Sequence, residues 1–330
     1  MWPLVLALVA QVPQFSEKVE VRRVVLHVRV LGADGSPILG LKANNFRVLV
    51  DGKEVIPDVV EWVDLSSTGK APSGEKGAAP ESQHLVVVLV QRDLQRARAS
   101  GLLAFQGRAA EVVEGLPENF KVALLIQDSR LHLVQDFTQD HRRVAEILRQ
   151  GLFRALPYRA GEPEGPSLRR FLDEETCARA ATPEKGLRFL AQALASLPGH
   201  RQVILLGWGL GRLSFPGVYM PADYVAASAL LEASGVPVFS LDITDADWHT
   251  LEIGLIQAAE DTGGLYAKTH LFPAQAQKKL AGALAGYYEV SFPRPEGPVG
   301  VHQVEVQLRG VQGNVFCRRT FADPPGLQLP

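Results

Sequence analysis

The chain has 330 residues, a formal net charge of −2, 46% hydrophobic residues and 21% charged residues. This length predicts one large domain with a smaller one, or two domains. Because the charge is near zero, with no basic run and no paired Cys/His spacing, we expect no nucleic-acid partner. Beyond the N-terminus no stretch is long and apolar enough for a membrane helix, so we expect no integral membrane span.

The N-terminus carries an unbroken apolar run over residues 2–10. Nine residues are too few to cross a bilayer, but they suit the core of a short signal peptide at 1–10 that is cleaved after Ala10. The alternatives are a buried N-terminal strand or a misassigned start codon. Export predicts a secreted, periplasmic or cell-envelope protein; a chain that keeps this segment would be cytoplasmic.

The chain has two cysteines, Cys177 and Cys317. Two cysteines make no disulfide framework. We place Cys177 in a helical insertion and Cys317 in a terminal strand, which favours two free, buried thiols, although export would permit pairing.

Residues 19–63 read as β structure, because apolar residues recur with period 2 through Val24, Val28 and Val30. Asp51-Gly52 stands between two apolar segments, a combination typical of a hairpin with a type I′ turn. Residues 65–83 are mostly Ser, Gly, Pro, Lys and Glu without periodicity, which predicts a linker.

Between 84 and 285 apolar runs alternate with helical patterns. The run at 85–90 is continuous, as expected for a parallel strand buried on both faces. Alternation of strands and helices predicts a doubly wound, Rossmann-like α/β sheet with an insertion at 157–183. The predicted strands are 85–90, 122–126, 131–134 (antiparallel), 203–206, 236–241 and 264–267, and the predicted helices are 94–115, 139–150, 184–197, 222–234, 249–262 and 272–286.

The tail, 286–322, returns to β structure, with predicted strands at 287–292, 301–308 and 315–321 and no helices between them. Two β segments that flank one α/β segment predict that head and tail pair into a small β-sandwich, with the α/β domain inserted between them.

A resemblance to a known family is carried, in order and spacing, by the segments 28–41, 45–52, 194–206, 235–242 and 258–264 and by the pair Tyr287-Tyr288. These segments resemble bacterial von Willebrand factor A-related proteins of the type common in Acidobacteria. The resemblance implies a Rossmann-like A domain with a metal-dependent adhesion site at the carboxyl edge of its sheet. In that family the site uses Asp-x-Ser-x-Ser after the first strand, a Thr from a later loop and an Asp after the fourth strand.

This chain departs from that ligand pattern. Gln91 stands in the place of the first Asp, Asp93 and Gln95 in the places of the serines, and Trp208 in the place of the second Asp. Arg92 adds positive charge. Because Mg²⁺ needs hard, preferably anionic oxygen ligands, we expect no conventional metal site and no cofactor. Trp208 could be an exposed anchor for a partner or a packed lid, and the sequence favours neither.

A second group of polar residues, Asp242, Asp245, Asp247 and His249, follows a predicted strand. Open α/β sheets bind ligands at this edge, so a small polar or metal site is one interpretation. The favoured interpretation is a solvated loop in which Asp247 caps the next helix.

These observations predict a non-enzymatic protein-binding, adhesion or scaffold module of the bacterial cell envelope. An unknown protein partner would bind at the carboxyl edge, around 91–95, 207–215 and 242–249. The alternative is a small-molecule or metal-binding protein, or a cryptic hydrolase, that uses Asp242 with Asp247 and His249. A third possibility is a structural module whose edge is closed by the insertion.

Overall fold

The computed structural model describes residues 23–66, 83–153 and 165–323. The predicted signal peptide at 1–10, most of the predicted linker, and residues 157–164 of the predicted insertion lie outside the described residues. Within the described ranges, no helix is both long and apolar enough to cross a membrane.

The described chain contains sixteen strands and seven α-helices. The strands are β1 Arg23–Leu31, β2 Phe46–Val50, β3 Lys53–Val55, β4 Val59–Asp64, β5 His84–Gln91, β6 Phe120–Gln127, β7 Leu131–Thr138, β8 His200–Gly207, β9 Arg212–Leu213, β10 Val218–Tyr219, β11 Val238–Asp242, β12 Tyr266–Lys268, β13 Gly286–Pro293, β14 Gly300–Leu308, β15 Asn314–Phe316 and β16 Thr320–Asp323. The helices are α1 Arg96–Glu114, α2 His141–Gln150, α3 Glu174–Arg179, α4 Pro183–Ala195, α5 Ala222–Ala233, α6 Glu252–Thr262 and α7 Pro273–Ala285.

The central sheet has the strand order β12-β11-β8-β5-β6-β7. All neighbours are parallel except β7, which runs antiparallel to β6. Numbered by appearance within this sheet, the order is 6-5-4-1-2-3, which is the doubly wound arrangement. The predicted mixed α/β fold with a parallel sheet is therefore confirmed.

Helices cover both faces of this sheet. Side chains of α1, α2 and α7 join one hydrophobic cluster with the strands, and side chains of α4, α5 and α6 join a second cluster on the other face. Every residue of β5 is buried, because this strand has neighbours on both edges and helices on both faces.

The flanking strands form two further four-stranded sheets, ordered β15-β1-β13-β4 and β16-β14-β2-β3. Each sheet combines strands from before and after the α/β segment; β1 pairs antiparallel with β13, and β2 with β14. Inward side chains of both sheets, including Leu26, Val48, Tyr288 and Phe292, pack into one cluster. Head and tail are thus joined by hydrogen bonds and by apolar burial.

The structure explains one predicted turn and corrects one predicted strand. Asp51 and Gly52 both have positive φ, 49° and 76°, as a type I′ turn requires. The predicted single strand 315–321 is instead two short strands, β15 and β16, because the chain crosses here from one flanking sheet to the other. Cys317 consequently lies between strands, whereas Cys177 lies in α3, and both thiols are free.

The amino edge of the central sheet is closed by a stack of rings. His84 and His200 begin neighbouring strands and stack with centroids 5.3 Å apart, and Phe120 stacks on His84 at 4.9 Å. On the flanking sheet, Tyr287 lies 6.4 Å from His200, and His27 lies 4.2 Å from Tyr287. Burial lowers the pKa of His84 to about 4 and, together with nearby arginines, that of His27 to about 4.

Arg29, in β1, joins the flanking sheet to the α/β segment. Its buried guanidinium donates to the carbonyl oxygens of Ala283 at 3.0 Å and Gly263 at 3.3 Å. It also lies over the rings of Phe239 and Tyr287, with distances to the ring centroids of 5.1 and 5.4 Å. Burial lowers the pKa of Arg29 to about 10, which leaves it charged at neutral pH.

Candidate functional site

The carboxyl edge of the central sheet gathers the loops that follow β5, β8, β11 and β12. The strand order reverses between β5 and β8, since the chain continues to β6 on one side and to β11 on the other. Ligands of open α/β sheets bind in the crevice at such a reversal. Here the loops that begin at Gln91 and Trp208 border that crevice.

Gln91 joins the two loops directly. Its side chain is buried, and its Oε1 accepts hydrogen bonds from the backbone N–H groups of Trp208 at 2.9 Å and Gly209 at 3.2 Å. A neutral amide oxygen thus satisfies two backbone donors that would otherwise be buried without acceptors. This oxygen faces the protein, so Gln91 lies at the predicted place but is engaged inside the chain.

Arg92 is neutralised by a carboxylate. Its guanidinium pairs with Asp128 and donates to the carbonyl oxygen of Leu152 at 2.8 Å. Asp128 also contacts His132 at 3.0 Å. Burial raises the pKa of Asp128, but hydrogen bonds from Arg92 and His132 outweigh burial and hold the pKa far below its usual range. The predicted positive charge therefore forms part of an ion-pair network.

Asp93 and Trp208 are linked through Arg98. The Asp93 carboxylate accepts from the backbone N–H of Gln95 at 2.7 Å and pairs with Arg98. Arg98 lies over the half-buried ring of Trp208, 3.5 Å from its centroid. The lid interpretation of Trp208 fits this packing better than an exposed anchor does. Gln95 is exposed and precedes α1.

The neighbouring loops are joined by further polar side chains, buried or half-buried, that sequence reasoning missed. Gln127 donates to the carbonyl oxygen of Ala180 at 2.9 Å, and buried Glu184 accepts from the N–H of Gly211 at 2.7 Å. Asp136 accepts from Ser167 Oγ at 2.6 Å and thereby joins the segment that begins at residue 165, within the predicted insertion, to β7. Each of these hydrogen bonds joins a side chain to a loop that is distant in sequence. In the sequence, the only sign of each bond is a polar residue in or beside a strand or helix.

Asp242 is the most buried acid of this edge, at 1% exposure. One carboxylate oxygen accepts from the N–H of Thr244 at 3.0 Å; the other lies 3.0 Å from His249 Nε2 and 3.1 Å from the Tyr266 hydroxyl. Burial raises the pKa of Asp242, but hydrogen bonds from His249 and Thr244 outweigh it and lower the pKa below its usual value. Asp242 is therefore an anion inside the protein.

Glu252, in the first turn of α6, completes a three-residue cluster. Ligand-type atoms of Asp242, His249 and Glu252 all lie within 4.8 Å of one another. Lys268 from β12 pairs with Glu252 at 2.6 Å. Sequence reasoning found Asp242 and His249 but missed Glu252, Tyr266 and Lys268, because they lie on the following helix and strand.

Asp245 and Asp247, the other two predicted acids, contact His270 and not His249. Asp245 accepts from Ser100 Oγ at 3.0 Å and contacts His270 at 2.6 Å, while Asp247 lies 3.5 Å from His270. The expectation that Asp247 caps the next helix was wrong: α6 begins at Glu252, after a capping residue that offers no side-chain hydrogen bond, because a further turn intervenes.

A group of exposed apolar side chains surrounds this edge; we name it the apolar rim. Its members lie in the segments that follow β5, β8, β11 and β12, which include the short β9–β10 hairpin, and each is more than half exposed. They are Leu94, Leu213, Phe215, Tyr219, Trp248, Leu271 and Phe272. Phe215, in the turn of the β9–β10 hairpin, is 101% exposed. The predicted segments 207–215 and 242–249 include part of this rim, but the residues after β12 were missed.

Beside the rim lies an open cleft of about 1320 Å³, between the loop after β5, the β6–β7 turn and α3. Arg92, Leu94, Leu133, Phe153 and Trp208 are among its lining residues. Its walls combine apolar surface with charged groups, among them the ion pair of Arg92 with Asp128.

No protein-family model matches this sequence, and no curated protein matches it. Similar solved structures include a von Willebrand factor type A protein from Catenulispora acidiphila, with 11% identity, a TM-score of 0.44, and coverage of 86% of this chain and 74% of that chain. BatB, a conserved hypothetical protein from Bacteroides thetaiotaomicron, has 14% identity, a TM-score of 0.40, and coverage of 61% and 97%. The vWF domain of the type V pili tip protein Mfa5 from Porphyromonas gingivalis has 14% identity, a TM-score of 0.39, and coverage of 61% and 94%. At such values the fold assignment rests on the strand order described above, and function rests on the site.

Proposed function

We propose that this chain is a non-enzymatic binding or scaffold module that holds a protein partner at the carboxyl edge of its α/β sheet. The observation that carries the proposal is the apolar rim. Large exposed side chains that converge on one edge are typical of interaction sites, and aromatic residues are the usual anchors. Phe215, wholly exposed in a hairpin turn, is the foremost anchor, and Trp248 is the second.

In this proposal the A-like domain spans 84–285, and the flanking segments 19–63 and 286–322 form one β-sandwich. The partner is held without the metal ion of an adhesion site, so the metal-dependent site is degenerate. Support comes from Gln91, whose amide oxygen bonds two N–H groups of the opposite loop, and from Asp93, whose charge is met by Arg98. Both residues are engaged by groups of the protein, and the neutral side chains of Gln91 and Trp208 stand where Mg²⁺ would need anionic oxygen ligands.

The alternative, a small-molecule-binding protein or hydrolase that uses Asp242, Asp247 and His249, has one observation in its favour. Asp242 and His249 are hydrogen-bonded, as in acid–histidine pairs that position an imidazole. Asp247 does not join them, since its side chain is 83% exposed and faces His270. An activity abolished by His249→Ala but not by Phe215→Ser would favour this alternative.

We further propose that the chain acts in the bacterial cell envelope. Support comes from the apolar N-terminal run at 2–10, which suits a signal peptide. The mass of the mature protein checks this proposal: removal of about ten residues is expected, and an intact N-terminus on a cytosolic protein would contradict it.

The test of the binding face is site-specific photo-crosslinking in the source cells. A photoreactive amino acid replaces Phe215 or Trp248 in the rim, or Ile56 as the matched control. Ile56 is 81% exposed but lies among the flanking strands. We expect one discrete protein adduct at both rim positions and none at 56. Equal adducts at all three positions, or none at the rim, would contradict the proposed face.

A further inference from the structure

Three side chains that commonly bind metals converge beneath the rim. Asp242 ends β11, His249 lies in the loop after it, and Glu252 begins α6. Their ligand-type atoms lie within 4.8 Å of one another, and Asp242 Oδ2 is 3.0 Å from His249 Nε2. Two ligands of one tetrahedral ion, each about 2.0–2.1 Å from it, are about 3.3 Å apart. Small side-chain rotations would therefore bring all three around one ion.

Hydrogen-bond donors hold the Asp242 carboxylate in place. The Thr244 side chain is 7% exposed, and its hydroxyl lies beside this carboxylate. The Thr244 N–H donates to the same carboxylate at 3.0 Å. Carboxylates that bind metal ions are themselves hydrogen-bonded in this way, which fixes their orientation.

We infer that Asp242, His249 and Glu252 form a binding site for a divalent transition-metal ion of the zinc type. One imidazole and two carboxylates are ligands that Zn²⁺ accepts in a tetrahedral site. Mg²⁺ and Ca²⁺ prefer six or more oxygen ligands and are disfavoured by the imidazole. The three side chains leave a fourth position for water or another oxygen. The site is distinct from the crevice at Gln91 and does not depend on the partner-binding proposal.

The charges around the three side chains favour a divalent ion and identify Lys268 as the group that competes with it. The carboxylates of Asp242 and Glu252 carry two negative charges against the single ammonium of Lys268, 2.6 Å from Glu252. Lys268 has a flexible stem, and its side chain is one-third exposed, so it can move into solvent when an ion enters. A divalent ion in its place balances both carboxylates. Lys268 therefore competes with the metal, and its removal should tighten binding.

The experiment uses the full chain and Co²⁺, whose visible absorption reports tetrahedral nitrogen and oxygen ligation, followed by displacement with Zn²⁺. We expect one Co²⁺ per chain, displaced by Zn²⁺ but not by Mg²⁺. His249→Ala and Glu252→Gln should weaken Zn²⁺ binding by about tenfold or more, since each removes or neutralises a ligand. Lys268→Met should strengthen it. His270→Ala is the matched control and should leave it unchanged, because His270 contacts Asp245 and Asp247 instead.

Circular dichroism and thermal unfolding establish that each variant is folded, and Glu252→Gln provides a near-isosteric change if His249→Ala unfolds. The inference is overturned if wild-type protein gives no tetrahedral Co²⁺ spectrum at millimolar metal. It is also overturned if binding survives in Glu252→Gln and His249→Ala, or is lost in His270→Ala, since the ion then lies elsewhere. None of these results bears on crosslinking at Phe215, so the two proposals fail separately.

Discussion

Stacked rings cover the amino edge of the central sheet, whereas polar side chains join the loops at its carboxyl edge by hydrogen bonds. At the amino edge, the stack that contains His84 and His200 is covered by the flanking strands, with Arg29 bonded to carbonyl oxygens. At the carboxyl edge, side chains such as Gln91 fasten one loop to another, and the surface beyond them is apolar and exposed. The amino edge is therefore covered by the chain's own strands, whereas the apolar side chains of the carboxyl edge stay exposed to solvent.

The largest expected effect comes from the contact of α1 with the loop after β11. Gly101 packs so closely that a Cβ there would lie 1.6 Å from the carbonyl oxygen of Ile243. Gly101→Ala should therefore force α1 from the carboxyl edge and lower the free energy of unfolding by about 3 kcal/mol. Urea unfolding measures it.

The matched control is Gly107→Ala in the same helix, where a Cβ would meet nothing within 4 Å. This change should raise the free energy of unfolding by up to about 1 kcal/mol, because alanine favours helix. Equal effects of the two substitutions would show that α1 does not approach the loop as described.

The second effect concerns the Gln91 tie. Gln91→Ala leaves the N–H groups of Trp208 and Gly209 without an acceptor and should lower the free energy of unfolding by about 2 kcal/mol. Gln95→Ala, four residues on and exposed, should change it little. Faster hydrogen exchange at 208 and 209 in Gln91→Ala, but not in Gln95→Ala, is the local readout. Unchanged exchange would refute the tie.

The smallest effect belongs to the amino edge and appears only in acid. Burial lowers the pKa of His84 to about 4 and also lowers that of His200, whereas an unfolded histidine titrates near 6.5. The unfolded chain therefore binds more protons in this window, and stability falls as the pH drops from about 6.5 towards about 4. Arg201 also lowers the pKa of His200, and Glu289 opposes this effect, whereas Arg29 and Arg318 lower the pKa of the neighbouring His27.

Replacing both histidines, His84→Gln with His200→Gln, should recover about 1 kcal/mol of the stability lost between pH 7 and pH 5.5. Urea unfolding at the two pH values measures it. His132→Gln, outside the stack, is the control and should leave the acid loss near that of the wild type. If the double variant lost as much stability in acid as the wild type, His84 and His200 would not be the acid-sensitive groups.

The sequence predicted the parts of the fold that local patterns determine. The apolar run 85–90 indicated a buried parallel strand, and Asp51-Gly52 indicated the hairpin turn, because burial and backbone chirality act over a few residues. The end of the helix predicted at 249–262 was correct, but its start was not, since an additional turn separates Asp247 from Glu252.

The sequence predicted at which edge of the sheet the candidate site lies, but not the hydrogen bonds that connect its residues. Gln91, Trp208, Asp242 and His249 lie at that edge, as the order of strands and loops required. Their partners could not be found, because Gln91 bonds residues more than a hundred positions away and Asp242 meets Tyr266 from another strand. Whether an aromatic residue such as Phe215 is exposed depends on packing that periodicity does not contain.

Residue-level covalent footprinting of the purified chain, alone and then with the envelope extract of its source cells, tests the proposed binding face most directly. We expect strong labelling of Phe215, Tyr219 and Trp248 in the isolated chain and protection of these three in the extract. Tyr287 at the amino edge should stay unlabelled in both samples, and exposed Ile56 should stay labelled in both. Protection at Ile56 with continued labelling of Phe215 and Trp248 would contradict the proposed face and place the binding face on the flanking strands.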